Sequence, residues 1–385
     1  MAGSDEFQWK VALILFGVLF LGVTDTQLVP LLLPSIAHEF NTTPGHAGII
    51  VSSYSLAAAA FALFAGPISD RIGRKRVLLA GLILFTATSF STYHVSSLNA
   101  LVIVRTLTGF AAGTLSTCAL SFAGDHYAYQ HRGRAMGVIS MAYFLAFVAG
   151  VGPGSVAVKY WGWRSVFVGF LILSLLIVFV VASGLPKDGR KSSHRFSVHH
   201  LATHFSRSDR VAGMAAAFLT SGGLVGFLTY VASWLATGKS VTIEKIGLLI
   251  MFSGIAAAAA SPLSGWLADH AGKIKVIIGA NIILTAAFLV VARLEWGWSL
   301  WIAMAVLSIC ASARQAPLHA ISTEIVGAEI RGEYTALRNA SSQLGIAAAA
   351  AVSAYAFDNL GFVGVSNLAA VMTLLIPLCF FWLRE

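Results

Sequence analysis

Twelve apolar runs, each close to the roughly 20 residues that cross a bilayer as a helix, leave this chain few ways to fold. They lie at about residues 10–33, 47–67, 77–96, 99–123, 135–158, 163–184, 211–235, 246–268, 274–293, 297–319, 335–356 and 362–382. In lipid the backbone must satisfy its own hydrogen bonds, so these runs are helices. Composition agrees: 57% of residues are hydrophobic and 11% charged, where a soluble domain carries about 25% charge. The expected class is an all-α membrane protein. Val11 to Leu33 is too long for a signal-peptide core and has no small-residue cleavage site, so it reads as the first membrane helix. His94 to Asn99 is barely a turn, which makes the third and fourth runs antiparallel neighbours.

A net charge of +9 invites nucleic acid, but the placement of the charges excludes it. Seventeen Lys and Arg residues fall on the loops of one side and five on the other. That is the positive-inside pattern, and it puts both termini in the cytoplasm. The connector 185–210 holds Lys187, Arg190, Lys191, Arg195, Arg207 and Arg210 with four histidines, and is expected to be a solvated basic linker facing anionic lipid. Its stretch Phe196 to Phe205 is amphipathic enough to lie on the membrane surface. Cys118, Cys310 and Cys379 all sit in apolar runs, so neither a disulfide framework nor a metal cluster is expected. No GxxxxGK followed by Ser or Thr is present, which argues against ATP-driven transport. No nucleophile elbow is present either. The chain is therefore read as a non-enzyme with no catalytic residue, cofactor or metal.

The runs repeat. Gly66-Pro67-Ile68-Ser69-Asp70-Arg71-Ile72-Gly73 returns 199 residues on as Gly265-Trp266-Leu267-Ala268-Asp269-His270-Ala271-Gly272. Arg132-Gly133-Arg134 returns at the same offset as Arg331-Gly332-Glu333. Two matches in one register imply duplication, with parallel repeats of six helices. The division is 1–184, an N-terminal bundle; 185–210, the linker; and 211–385, a C-terminal bundle. One chain builds the whole assembly, so a monomer is expected.

These motifs carry a resemblance. The loop from Gly66 to Arg76, the stretch Leu101 to Arg105 with Gly109 and Gly113, and Leu21 to Thr26 followed by Leu33-Pro34-Ser35-Ile36-Ala37 resemble motifs of the major facilitator superfamily. The likeness covers essentially the full length and is greatest to its 12-helix drug:proton antiporter branch. Gly150-Val151-Gly152-Pro153-Gly154 is similar to the antiporter motif of helix five, with Val156 where a glycine is expected. The resemblance implies a major facilitator fold, twelve transmembrane helices in two six-helix halves around a central cavity lined by helices one, four, seven and ten. It also implies a gating network. Asp70 would meet the amides at the start of helix eleven near Tyr334, with Arg74 and Asp125 as ion partners, while Gly66 and Gly73 allow close approach and a sharp turn. Asp269 would act likewise against helix five; His270 and Ala271 depart from the pattern, so that copy is expected to be weaker.

Charges within the runs are costly and mark function. Asp25 lies about two thirds along helix one, and Arg105 about one and a half turns below the outer face on helix four, at similar depth. A carboxylate there must face a cavity, pair with a cation or take a proton; reversible protonation is what a coupling site requires. Asp25 and Arg105 are thus the proton-coupling candidates. On helix ten, Arg314 and Gln315 precede Pro317 and are candidates for the substrate cavity, with Glu324 placed to neutralise Arg314 or Arg338. On helix seven, Tyr230 and Trp234 share a face and can stack on a flat ligand.

The reading that joins these features is a proton-coupled secondary transporter exporting small lipophilic or amphipathic compounds by alternating access. Its partners would be a small-molecule substrate, protons and membrane lipid, in a bacterial inner membrane. The alternative is a proton-linked uptake or exchange carrier for an organic anion or other metabolite, because arginines outnumber carboxylates in the runs. A lipid translocator rests on apolarity alone.

Overall fold

The computed structural model describes residues 7–186, 204–326 and 331–382, and among these every regular element is helical. The first half holds α1 (Trp9–Glu39), α2 (Ile49–Ile72, entered through the single turn Pro44–Ala47), α3 (Arg74–His94) and α4 (Leu98–His126). It continues with α5, made of Tyr129–Leu145, a π-helical stretch Ala146–Val151 and Gly152–Trp161, and with α6 (Arg164–Gly184). The second half holds α7 (Ser208–Ser233, extended by π-helical Trp234–Gly238), α8 (Ile243–Ala271), α9 (Lys273–Val291) and α10 (Trp298–Glu324). Arg331–Trp382 is two helices joined at Gly361, α11 (331–360) and α12 (362–382). Among the described residues eleven helices are long and apolar enough to cross a membrane; dividing the last at Gly361 gives the twelve read from the sequence. Most of the connector, including the greater part of the stretch Phe196 to Phe205, lies outside the described residues.

The 199-residue repeat is visible in the backbone. Gly73 and Gly272 have φ of +113° and +96°, and Gly162 and Gly361 have +75° and +68°. All four make sharp turns between consecutive helices in the left-handed region that favours glycine. The same joints, α2–α3 with α8–α9 and α5–α6 with α11–α12, are built the same way in both halves.

Inside the first half, α2 and α4 pack backbone to backbone. A Cβ at Gly109 would lie 2.2 Å from the Tyr54 carbonyl oxygen, and one at Gly113 would lie 2.5 Å from that of Ala58. The small-residue face read from the sequence is therefore a helix-packing face. Backbone cannot swing aside, so Gly109→Leu is expected to cost about 1–3 kcal/mol or more. A drop in thermal midpoint in detergent, absent for Gly169→Leu on open space, would check this.

At the face opposite the termini the halves meet along a seam of glycines. A Cβ at Gly247 of α8 would sit 2.2 Å from the Ser155 Cβ of α5, and one at Gly254 would sit 2.4 Å from the Phe147 Cβ. Gly48, at the head of α2, lies under the Tyr230 hydroxyl of α7. Asp358, near the end of α11, accepts a hydrogen bond from the Thr43 hydroxyl at 2.7 Å and from the Gly45 amide at 3.1 Å. A carboxylate from one half thus caps the first turn leading into a helix of the other, where the dipole favours negative charge. Lys159 of α5 also pairs with Glu244 of α8. Nearer the termini the halves touch where Leu63 of α2 packs on Met214, Val326, Tyr334 and Leu337.

Candidate functional site

The Asp25 carboxylate and the Arg105 guanidinium form a two-pronged pair, Nη1 to Oδ1 at 2.8 Å and Nη2 to Oδ2 at 2.9 Å. Asp25 is 0% and Arg105 2% exposed. Removing two such charges from water costs several kcal/mol each, which only close, bidentate geometry offsets. The similar depths inferred from helix lengths thus become a contact.

Two residues complete the site that the sequence reading did not single out. Tyr54 of α2 lies beneath the guanidinium, with Arg105 Cζ 4.6 Å from its ring centroid. Its hydroxyl is 3.1 Å from Thr26 Oγ1, and Thr26 in turn donates to the Gly22 carbonyl at 3.0 Å. The signal was available: Ser52-Ser53-Tyr54-Ser55 is a polar stretch inside an otherwise Ala-rich run. Gly109, one turn beyond Arg105, brings the α2 backbone close enough to set the ring there. Behind α1, the helix-five motif packs tightly: Gly150 faces Thr24 and Gly154 faces Leu28.

Arg314 is placed differently from the cavity position expected of it. It is 0% exposed, with Nη1 donating to Asn281 Oδ1 of α9 at 2.8 Å and Nη2 to the Thr220 carbonyl of α7 at 3.2 Å. It therefore lies within the second half, between α7, α9 and α10. Gln315 is partly buried beside it. Tyr230 and Trp234 are packed rather than presented to an open space. The Tyr230 ring stacks on Phe357 at 5.2 Å and its hydroxyl donates to the Ala350 carbonyl. Trp234 stacks on Phe362 at 4.4 Å.

In the loop motif, Arg74 bridges Asp70 at 2.9 Å and Asp125 at 2.5 Å. Gly73 makes the turn, whereas a Cβ at Gly66 would meet Thr117 at 3.9 Å, an ordinary contact, so the close approach expected at that glycine is not required in this structure. The start of α11 expected against Asp70 adjoins residues 327–330, outside the described ones. In the second copy, Asp269 is exposed. Lys273 pairs there with Glu324, and these two positions lie 199 residues beyond Arg74 and Asp125. Among the described residues Glu324 pairs with Lys273 rather than with Arg314 or Arg338, because the end of α10 meets the start of α9 as α4 meets α3. The offset already present in the sequence could have found this pair.

Comparison with known proteins accords with this architecture. The family model of the Major Facilitator Superfamily matches residues 14–242 and again 214–385. The chain is 25% identical to the purine ribonucleoside efflux pump NepI of Salmonella paratyphi C, covering 90% of this chain and 87% of that protein. It is 25% identical to the 4-hydroxybenzoate transporter PcaK of Pseudomonas aeruginosa, covering 74% and 71%. The crystal structure of the nucleoside transporter NupG superposes with a TM-score of 0.81 at 14% identity, over 97% of this chain and 100% of that one. The matched helices, the duplicated loop and the intramembrane pair lead to one conclusion: the chain belongs to the major facilitator superfamily and is a multi-pass membrane transporter, not an enzyme.

Proposed function

We propose that this transporter exports a small lipophilic or amphipathic compound in exchange for protons, with Asp25 as the proton carrier and Arg105 as its fixed counter-charge. The observation that carries this reading is the buried bidentate pair between α1 and α4. A proton on Asp25 would release one half of that pair and change the contact between two helices that line the centre of the fold. Coupling then arises because the two conformations bind the proton and the cargo with different affinity. The likeness to an efflux pump over nine tenths of the chain supports the direction. The glycine seam supports a resting state closed at the face opposite the termini. The basic loops support cytoplasmic termini in a bacterial inner membrane, and the chain would work as a monomer with its 185–210 linker on anionic lipid. The motif network of Asp70, Arg74 and Asp125, with Gly66 and Gly73, would steady the cytoplasmic gate; Asp269 would be its weaker counterpart. Tyr230, Trp234, Arg314 and Gln315 would reach cargo only if their helices turn during the cycle.

Proton movement in proteoliposomes, challenged with lipophilic cations, neutral heterocycles and organic anions, tests this. Cargo-induced proton flux is expected in the wild type and is lost in Asp25→Asn. Robust transport without proton flux, or flux unchanged in Asp25→Asn, would overturn the assignment. A second reading, an uptake or exchange carrier for an organic anion, is favoured by Arg314, a second buried cation without a carboxylate partner, and by the likeness to a 4-hydroxybenzoate transporter. Anion accumulation driven by an inward proton gradient would select it.

A further inference from the structure

The two buried arginines differ in how their charge is met. Arg105 has Asp25. Among the described residues Arg314 hydrogen-bonds only to neutral groups, the Asn281 side-chain oxygen and the Thr220 carbonyl, and the one titratable group beside it is the Cys310 thiol one turn earlier on α10. A guanidinium stays protonated in a protein and carries five N–H donors, of which these bonds use two. An uncompensated charge in the low-dielectric interior costs several kcal/mol.

The polar atoms around it share one character. Arg314 Nε, Asn281 Nδ2 and Thr220 Oγ1 are all buried and without a hydrogen-bond partner. Asn281 and Thr220 are each 2% exposed. The Asn281 oxygen is taken by Arg314, so its remaining group is a donor. The Thr220 hydroxyl can donate as well. The two residues that the guanidinium touches thus each carry a further unpartnered donor, on α7 and α9, beside an unmet positive charge, and the complement of such a set is an anion; a neutral water would leave the charge standing.

One helical turn toward the termini, the same three helices supply Ala216, Ile277 and Leu318, each four residues from Thr220, Asn281 and Arg314 respectively. With Ile376 and Phe380 of α12 they form an apolar cluster. That cluster borders the three polar residues, whose burial keeps bulk water away, so an occupant must be small and dehydrated.

We propose that Arg314, Asn281 and Thr220 form a site for a small monovalent inorganic anion, of the size and charge of chloride, that neutralises the second half. The site stands independently of cargo and direction of transport.

The test is thermal unfolding of the purified full chain, with sodium gluconate replaced by sodium chloride or bromide at constant ionic strength, so that screening is unchanged. The expected result is a midpoint that rises with halide and saturates, as binding to the folded state requires. The rise is kept in Ser91→Ala, at an exposed position on α3, reduced in Thr220→Val and lost in Arg314→Gln. If Arg314→Gln does not fold, Thr220→Val and Asn281→Leu carry the test. Equal midpoints in gluconate and halide would overturn the site, as would a halide response intact in Thr220→Val and Asn281→Leu. Stabilisation by benzoate without any halide response would also overturn it, and would give the guanidinium to an organic anion instead.

Discussion

Arg105→Gln is expected to destabilise the protein by about 3–5 kcal/mol, because it strands a buried carboxylate without its partner. Asp25→Asn alone should have a similar effect by stranding the guanidinium, although the Tyr54 ring beneath Arg105 retains part of its stabilisation. The double variant Asp25→Asn/Arg105→Gln should recover much of the loss, since two neutral amides can hydrogen-bond in the same place. Thermal midpoints of the four proteins form a double-mutant cycle, and a coupling energy below about 0.5 kcal/mol would mean that the pair is not holding α1 to α4. Transport separates structure from coupling: the double variant should fold and bind cargo yet move no protons. Proton flux surviving in it would place coupling elsewhere.

Gly247→Leu should push the halves apart at the face opposite the termini while leaving each bundle folded. The new side chain would meet Ser155 of α5, which belongs to the other half. An overpacking penalty of about 1–3 kcal/mol confined to one conformation shifts the populations about 5- to 150-fold. Spin labels at Trp161 and Leu360, both exposed near that face and on different halves, would report longer distances, with net transport falling in proportion. Asp358→Asn should shift the same equilibrium less, since it weakens the bonds to Thr43 and Gly45 without adding bulk. Distances unchanged in Gly247→Leu would show that the seam is not a gate.

What the sequence revealed, and what it hid, follows from the physics of each residue. The spans, the duplication and the depth of Asp25 and Arg105 are one-dimensional properties, set by run length and spacing, and could be read directly. The direction in which a side chain points around its helix depends on packing. The number of its helix puts Arg314 at the cavity, yet the side chain turns toward Asn281 of α9. On a regular helix Tyr230 and Trp234 share a face, but α7 becomes π-helical at Trp234, which changes the register at that point. Both rings instead meet the phenylalanines of α11 and α12. The Asp358 cap joins residues more than 300 apart in sequence, and no local pattern announces such a contact.

The neutrality of the Asp25–Arg105 pair has an electrical consequence. While the two groups are both charged they move through the membrane field as a dipole of zero net charge. Protonation of Asp25 leaves the guanidinium as a net positive charge at the same depth, and displacing one such charge across the full membrane potential is worth about 2.3 kcal/mol per 100 mV. With Asp25 as the proton carrier proposed above, the conformational step of the proton-loaded protein should be driven by voltage, and the return step of the unloaded protein should be nearly indifferent to it. An inside-negative potential would then speed the half-cycle that carries the proton and leave the other half-cycle to the cargo gradient.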